Sequence, residues 1–304
     1  MIPAITYKDK TVAVFGLGAS GLASAASLLA GGATVRAWDD AEATREKAAD
    51  AGVPLTDLRK ADWTDFAALV LAPGVPLTHP EPHWTVKQAK AAQVPVIGDT
   101  ELFVQSLSRA SGASHLIAIT GTNGKSTTTA LIGHILKSAG RDTEVGGNIG
   151  TAVLQLGEPG AGRHYVVEFS SYQIDLTPSL KPDTAILLNL TPDHLDRHGD
   201  MAGYAGVKAK IFALQDEADL AVIGVDDEYC AEIATRITRP AVHRISVEHE
   251  VSDGVYVSDS TLHEVARGAE VASCSLTGID GLRGRHNWQN AAAAWAACRK
   301  AGLS

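Results

Sequence analysis

The sequence predicts an α/β protein with two domains, each built on a parallel β-sheet. Its 304 residues, 45% of them hydrophobic, are enough for two domains of about 150 residues each. In both halves short apolar runs alternate with longer helical patterns, an order typical of parallel strands joined by crossover helices. A stretch of small and polar residues over 106–114 separates the halves. We therefore predict domains at 1–110 and 111–304.

The first half carries a glycine fingerprint of nucleotide-binding domains. Strands are predicted at 12–15, 35–38, 69–72 and 94–97. The first runs into Gly-Leu-Gly18-Ala-Ser-Gly, and the second ends at Asp39. This GxGxxG pattern with a later acid predicts a Rossmann-like domain that holds a diphosphate at a helix N-terminus. It does not select one cofactor, and the glycines could instead serve tight packing alone.

The second half continues the alternation of strands and helices. Strands are predicted at 116–120, 166–169, 185–190 and 220–224, and helices after Lys125 and near Lys208 and Glu228. Residues 251–277 alternate polar and apolar side chains, which favours a β excursion over another crossover. The alanine-rich run 291–297, followed by basic residues and Gly302, predicts a final helix.

A phosphate-binding loop is predicted where the second half begins. The strand Leu-Ile-Ala-Ile leads into Thr120-Gly-Thr-Asn-Gly, and Lys125-Ser-Thr opens a helix. In such loops backbone N–H groups surround a polyphosphate, the lysine reaches the outer phosphates and the hydroxyl of Ser126 can bind Mg²⁺. The strict motif has glycine where this chain has Ile119, so the loop is a variant.

A purely structural turn is disfavoured, because a lysine at a helix N-terminus is unfavourable unless it meets an anion. We therefore predict an α/β P-loop ATPase domain with ATP-binding residues Gly121, Thr122, Asn123, Gly124, Lys125, Ser126 and Thr127.

Charge and composition exclude several partners. A net charge of -9 argues against a nucleic-acid or anionic-membrane surface, which needs extended positive potential. The three cysteines fit neither a disulfide framework nor a metal pattern. With no secretory leader and no apolar run of about 20 residues, we expect a cytoplasmic protein.

Eight segments in chain order resemble the Mur ligases, most closely the members that add D-glutamate. They are GLGASGLA at Gly16, LAPGVP at Leu71, GDTELF at Gly98, ITGTNGKSTTT at Ile119, VGGNIG at Val145, VVEFSSYQ at Val166, LNLTPDHLDRHG at Leu188 and GRHNWQN at Gly284. The resemblance covers the whole chain, and the set is more specific than any one motif.

The resemblance implies an ATP-driven amide ligase. Its partners would be UDP-N-acetylmuramoyl-L-alanine, D-glutamate and ATP, with an acyl phosphate as the intermediate. It implies two Mg²⁺ ions, and we expect a monomer. Two anions must approach each other in this reaction, so charge neutralisation is its main requirement.

The resemblance also assigns residues. The catalytic residues would be Lys125, His194 and Lys208, and the metal ligands Ser126, Glu168, His194 and Lys208. Lys208 would be carbamylated to give an anionic oxygen ligand; from the residues alone it is a solvated helix lysine, no different from Lys210. The substrate-binding residues would be Gly18, Ala19, Ser20, Asp39, Pro73, Gly74, Asn148 and His194.

Several of these assignments have simpler structural alternatives. Glu168 could be an edge carboxylate, and His194 a structural histidine. Asn148 could be a turn residue. Asn287 and Asn290 share one helical face and are assigned to ATP by the resemblance, where they would contact adenine, yet either could be a helix cap.

The sequence also departs from the resemblance. Asp40 and Ala41 stand where those ligases have Thr and Arg in the uracil pocket, and Ala72 replaces a serine in the substrate loop. The ligases carry a third, C-terminal domain, which would begin where this sequence stops. We therefore expect binding of both nucleotides but little turnover from these residues.

Two other functions stay open. The glycine fingerprint alone would fit an NAD-binding oxidoreductase with an accessory nucleotide site. The phosphate loop alone would fit a nucleotide-sensing module, although a sensor has no need of the set Lys125, Glu168 and His194.

Overall fold

The computed structural model describes residues 1–109 and 114–304. Its first sheet has four parallel strands in the order β2-β1-β3-β4. The strands and helices of this part are β1 (Thr11–Phe15), α1 (Ala19–Ala30), β2 (Thr34–Trp38), α2 (Glu42–Asp50), β3 (Phe66–Leu71), α3 (Trp84–Ala91) and β4 (Val96–Ile97). β2 and β3 lie on opposite sides of β1, so the strand order reverses there. The crevice between the carboxyl ends of β1 and β3 is therefore the expected place for a ligand.

The fourth strand is shorter than the sequence predicts. The prediction was 94–97, but only Val96–Ile97 pairs with β3. Proline at position 95 has no N–H to donate, and Val94 turns its N–H to the Ala89 carbonyl at 2.8 Å. The apolar pattern therefore overstated the strand by two residues.

The second sheet has nine strands in the order β13-β12-β11-β10-β9-β8-β5-β7-β6. Its strands are β5 (His115–Thr120), β6 (Thr143–Gly147), β7 (His164–Glu168), β8 (Thr184–Leu187), β9 (Leu220–Gly224), β10 (Ala241–Ser246), β11 (Gly254–Ser258), β12 (Thr261–Ala266) and β13 (Ala269–Ser275). Pairing is parallel from β6 through to β11 and antiparallel from β11 to β13. The predicted β excursion over 251–277 is confirmed as this antiparallel edge.

Seven helices accompany this sheet in the described residues. They are α4 (Asp99–Arg109), α5 (Lys125–Ser138), α6 (Ser171–Asp175), α7 (Leu195–His198), α8 (Met201–Ala209), α9 (Glu228–Arg236) and α10 (Arg285–Lys300). The run Ala291–Ala294 is buried, because small side chains let α10 lie close against α5 and the sheet. Among the described residues, none of the helices has the length and apolar character needed to cross a membrane.

Helix α4 links the two parts of the chain, because it contacts α1 of the first part and α6 of the second. The buried Glu101 carboxylate accepts the N–H of Ser179 at 3.0 Å and its hydroxyl at 2.6 Å. Beside it the hydroxyls of Thr100 and Thr177 lie 2.6 Å apart. These bonds fix α4 to the second part of the chain. The predicted domain boundary between 110 and 111 lies outside the described residues.

Candidate active site

The phosphate loop joins β5 to α5 and is shaped by Asn189. The N–H of Thr122 donates to the Asn189 carbonyl at 2.9 Å, and the N–H of Asn123 donates to the Asn189 side chain at 2.9 Å. The Lys125 ammonium donates to the Thr122 carbonyl at 2.9 Å. The loop is thus held from the end of β8, and its lysine lies over the turn. Sequence reasoning missed Asn189, although it lies in one of the quoted segments.

Helix α10 approaches the loop at Gly124. This glycine precedes the helix with φ +85°, and a Cβ there would lie 2.2 Å from the side-chain oxygen of Asn290. The same oxygen accepts the Thr128 hydroxyl at 3.2 Å. Glycine is required at this position both by the left-handed backbone and by the close approach of α10.

Asn290 and Asn287 are joined to each other. The Asn290 amide donates to the Asn287 side-chain oxygen at 3.3 Å, and the Asn287 amide donates to the Arg283 carbonyl at 3.0 Å. Asn290 is only 3% exposed, whereas Asn287 is half-buried. Neither is the helix cap, which is Gly284. Adenine recognition by the pair stays a prediction, and Asn290 lies beneath the loop.

A carboxylate at the end of β7 joins two predicted site residues. Glu168 accepts the hydroxyl of Ser126 at 2.8 Å and the amide of Asn148 at 3.0 Å, one on each oxygen. Carboxylate and hydroxyl oxygens are the ligands that Mg²⁺ prefers, so this pair fits a magnesium site beside the loop. In the described part of the chain no group of three or more His, Cys, Asp or Glu is placed to hold a metal.

Lys208 lies buried behind the phosphate loop. Its ammonium donates to the hydroxyl of Thr120 at 3.0 Å and to the carbonyl of Gly121 at 3.0 Å. The residue is 2% exposed. Burial lowers its pKa to about 7, and the nearby Lys125 charge acts in the same direction. The alternative of a solvated helix lysine is wrong for Lys208; it describes Lys210, which is paired with Asp175 at the surface.

His194 lies at the start of α7, in a left-handed conformation with φ +51°. Its imidazole is 3.4 Å from the Asp193 carboxylate and packs on Tyr172 with ring centroids 5.0 Å apart. About half of the side chain is exposed. His194 therefore lies against Tyr172, on a segment separate from the Glu168 cluster, and its metal or substrate role stays a prediction.

The glycine fingerprint forms the turn between β1 and α1. Gly18 is the residue before the helix, and Ala19 and Ser20 open it. A Cβ at Gly21 would lie 1.8 Å from the carbonyl oxygen of Gly16, so the turn closes this tightly only with glycine. Because the N-terminus of a helix favours an anion, the predicted diphosphate would lie at the start of α1.

Asp39, at the end of β2, supports that turn. Its carboxylate accepts the N–H of Leu17 at 2.8 Å and of Ala41 at 2.9 Å. The next residue, Asp40, accepts the Arg59 guanidinium at 2.5 Å and the Trp84 indole N–H at 3.3 Å. Both acids are thus engaged within the protein, and the substrate-binding role of Asp39 stays a prediction.

The loop after β3, called the substrate loop because substrate binding is predicted for Pro73 and Gly74, is held by a residue from the other part of the chain. Arg197, in α7, donates to the carbonyl oxygens of Gly74 and Val75, both at 3.0 Å. Pro73 and Tyr172 line the small cleft beside this contact. The structure therefore brings the predicted loop residues next to the segment that carries His194. Sequence analysis assigned no role to Arg197.

Two family models match the chain. Residues 119–298 match the Mur ligase middle domain, and residues 10–98 match the Mur ligase MurD-like N-terminal domain. The first model ends within α10 and the second just before α4. Together they cover both sheets except residues 115–118 of β5.

Curated relatives align over the whole chain. A protein of Caulobacter vibrioides (strain NA1000 / CB15N) is 54% identical over 309 residues, covering 100% of this chain and 66% of its own length. One of Rhizobium johnstonii is 56% identical over 306 residues, covering 100% of this chain and 64% of its own. Both are described as UDP-N-acetylmuramoylalanine--D-glutamate ligase. The chain spans slightly less than two thirds of the length of these relatives.

Solved structures share the fold at low identity. A UDP-N-acetylmuramate:L-alanyl-gamma-D-glutamyl-meso-diaminopimelate ligase from Neisseria meningitides superposes with a TM-score of 0.62 at 17% identity, over 97% of this chain and 94% of that one. A UDP-N-acetylmuramate-alanine ligase from Thermotoga maritima gives 0.54 at 22% identity, over 97% and 66%. At these identities the likeness shows the fold alone.

Proposed function

The chain belongs to the Mur ligase family, and from this premise we propose that it provides the UDP-substrate site and the ATP site of a ligase that joins D-glutamate to UDP-N-acetylmuramoyl-L-alanine. The observation that carries the proposal is the contact of Arg197 with the carbonyls of Gly74 and Val75, which holds the loop after β3 against α7, the helix that follows His194. Relatives at 54% and 56% identity described as this ligase support it.

The reaction is a phosphoryl transfer followed by an acyl transfer. A carboxylate oxygen of the UDP-substrate bonds to the γ-phosphorus of ATP while the bond to the β-phosphate oxygen breaks, and ADP leaves. The amine of D-glutamate then attacks the acyl carbon, loses a proton and expels phosphate. Both steps bring anionic or electron-rich groups together, so fixed positive charge contributes most of the rate.

The residues of the loop meet this requirement. Lys125 would neutralise the outer phosphates, and the N–H groups of the loop would hold the inner ones. Ser126 and Glu168, whose oxygens lie 2.8 Å apart, would hold Mg²⁺, which supplies further charge neutralisation when bound. His194 and a carbamylated Lys208 would serve a second ion.

Carbamylation of Lys208 is supported by its surroundings. A neutral amine is the form that adds CO2, and burial lowers the Lys208 pKa to about 7. The contact with Thr120 lies where β5 runs into the phosphate loop. A carbamate at this point would place anionic oxygens near Glu168, as a metal ligand requires.

Other parts of the proposal concern the nucleotide and the setting. Asn287 would contact adenine, while Asn290 supports the loop from below. Asn148 would bind the substrate end nearest Glu168. We also propose that the reaction takes place in the cytoplasm, where both nucleotides are made, and that the protein acts as a monomer; sedimentation at assay concentration tests the second point.

Titration calorimetry on the 304-residue chain tests the function. UDP-N-acetylmuramoyl-L-alanine and ATP should each bind, and chelating Mg²⁺ should weaken ATP binding. Lys125→Ala should weaken ATP by about ten- to a hundredfold, since it removes a charge-assisted contact worth roughly 1.5–3 kcal/mol. It should leave the UDP-substrate affinity unchanged, because that ligand is held mainly by the first sheet.

The matched control is Lys137→Ala, which removes an exposed lysine at the other end of the same helix. It should change neither affinity. NAD(H) distinguishes the oxidoreductase alternative. Binding of NAD(H) without binding of the UDP-substrate would overturn the proposed function.

A further inference from the structure

We propose that Arg197 is a positioning residue that fixes the two substrate-holding parts of the chain in one register, so that a ligand spanning both gains affinity that neither part provides alone. This inference rests on the proposed function. In the proposed ligase reaction Arg197 would not touch the reacting atoms. It acts through the backbone of the substrate loop.

The contact is a two-point contact across the junction between the sheets. The guanidinium donates from Nη1 to the Gly74 carbonyl and from Nη2 to the Val75 carbonyl, both at 3.0 Å, over a sequence separation of more than 120 residues. A planar guanidinium that donates to two successive carbonyls fixes orientation as well as distance. A single bond would leave the loop free to rotate.

Arg197 is itself held in place from the central part of the chain. Its guanidinium carbon lies 4.6 Å from the centroid of the Tyr172 ring, a cation–π contact. Tyr172 is held in turn by His198. The two rings are stacked with centroids 5.5 Å apart, and the His198 imidazole is hydrogen-bonded to the Ser171 hydroxyl at 2.9 Å. We call the contact between Arg197 and the carbonyls of Gly74 and Val75 the clamp. It is therefore attached to packed residues at the start of α6.

The cleft beside Arg197 is narrow. The cleft lined by Pro73, Tyr172 and Arg197 has a volume of about 10 Å³, which is room for at most one water molecule. Nearby, the imidazole of His79 lies against Gly199, 3.3 Å from where a Cβ would stand. The substrate loop is thus seated against α7, with His194 at the beginning of that helix.

A fixed arrangement of the two parts of the chain should raise the affinity of a ligand that contacts both parts. UDP alone would contact only the first sheet, whereas the muramoyl-alanine end must reach Asn148 and His194. The second contact is then intramolecular, and its benefit depends on the effective concentration set by the junction. Loosening the junction should remove that benefit and leave the binding of UDP unchanged.

The test compares UDP with UDP-N-acetylmuramoyl-L-alanine by calorimetry in Arg197→Lys and Arg197→Ala. Lysine keeps the charge but cannot donate to two carbonyls in a fixed plane. In both variants we expect the affinity for UDP-N-acetylmuramoyl-L-alanine to fall about tenfold, with less than a twofold change for UDP and ATP. Arg36→Lys, which alters a surface pair with Asp65 on the first sheet, is the matched control and should change nothing.

A second measurement does not need the substrate. Amide hydrogen exchange should become faster in both 73–78 and 194–199 in Arg197→Lys, although these segments are far apart in sequence. Equal affinities for UDP-N-acetylmuramoyl-L-alanine in wild type and both variants, or parallel loss of all three ligands, would overturn the clamp. If the wild-type chain does not bind this ligand, the proposed function fails, and the exchange experiment still decides whether Arg197 couples the two segments.

Discussion

Replacing Gly124 by alanine should disrupt the phosphate loop more than a left-handed glycine alone would explain. The backbone at Gly124 has φ +85°, which costs an alanine about 1–2 kcal/mol. The new methyl would also lie 2.2 Å from the Asn290 oxygen and 3.3 Å from Leu188. Asn290 cannot move away freely, because it is buried and bonded to Thr128.

Overpacking of this kind adds about 1–3 kcal/mol, so Gly124→Ala should lower the free energy of unfolding by about 2–5 kcal/mol in total. Gly140→Ala provides the matched control. That glycine has φ +75° and no atom within 4 Å of an added Cβ. It should lose only the backbone cost of about 1–2 kcal/mol.

Urea denaturation of four proteins completes the experiment: wild type, Gly124→Ala, Asn290→Ala and the double variant. Asn290→Ala alone loses about 1–2 kcal/mol through its hydrogen bonds. Removing the asparagine also removes the collision, so the double variant should be more stable than the sum of the single losses by about 1–3 kcal/mol. Additive losses, or a Gly124→Ala loss no larger than that of Gly140→Ala, would refute the reasoning.

Two further predictions concern ionisable groups. Burial raises the pKa of Asp99 to about 6 from 3.8, so the folded state binds its proton more tightly. Its stabilising effect is complete below pH 3.8 and is lost as pH rises to about 6, with an upper limit of about 3 kcal/mol. Asp99→Asn should therefore flatten the pH dependence of unfolding in this window, whereas Asp50→Asn at the surface should not; identical slopes would contradict the assignment. In ¹³C-bicarbonate, a carbamate signal should appear in wild type and Lys210→Met but vanish in Lys208→Met, and a signal that survives Lys208→Met would exclude this lysine.

Local sequence patterns were sufficient to predict most of the strands in both sheets. The alternation of apolar runs and helical segments predicted eight strands near their observed places, because buried parallel strands are continuously apolar. Two strands were missed. β6 ends in Gly146–Gly147, and half of the side chains of β10 are polar, so neither has the composition that the pattern requires.

The candidate site was predictable where its chemistry is local in sequence. The phosphate loop from Thr120 to Lys125 can be recognised in the sequence, because its glycines and its lysine must lie close together along the chain. The partners of that turn are not local. Asn189, Asn290 and Arg197 act through contacts with residues far along the chain, and no periodicity in the sequence points to them. Burial of Lys208, which separates it from Lys210, is likewise a property of the packed fold.

The contact between Gly124 and Asn290 also bears on the order in which the molecule is made. Thr128 and Asn290, which share the hydrogen bond beside this glycine, are 162 positions apart. Contacts of such high sequence separation form slowly, since closing the long intervening loop costs conformational entropy. During synthesis β5 and α5 can emerge and pair early, yet the support under the turn between them arrives only with α10. We therefore expect the phosphate loop, one of the first segments translated in its half of the chain, to reach its final shape only after α10 has folded.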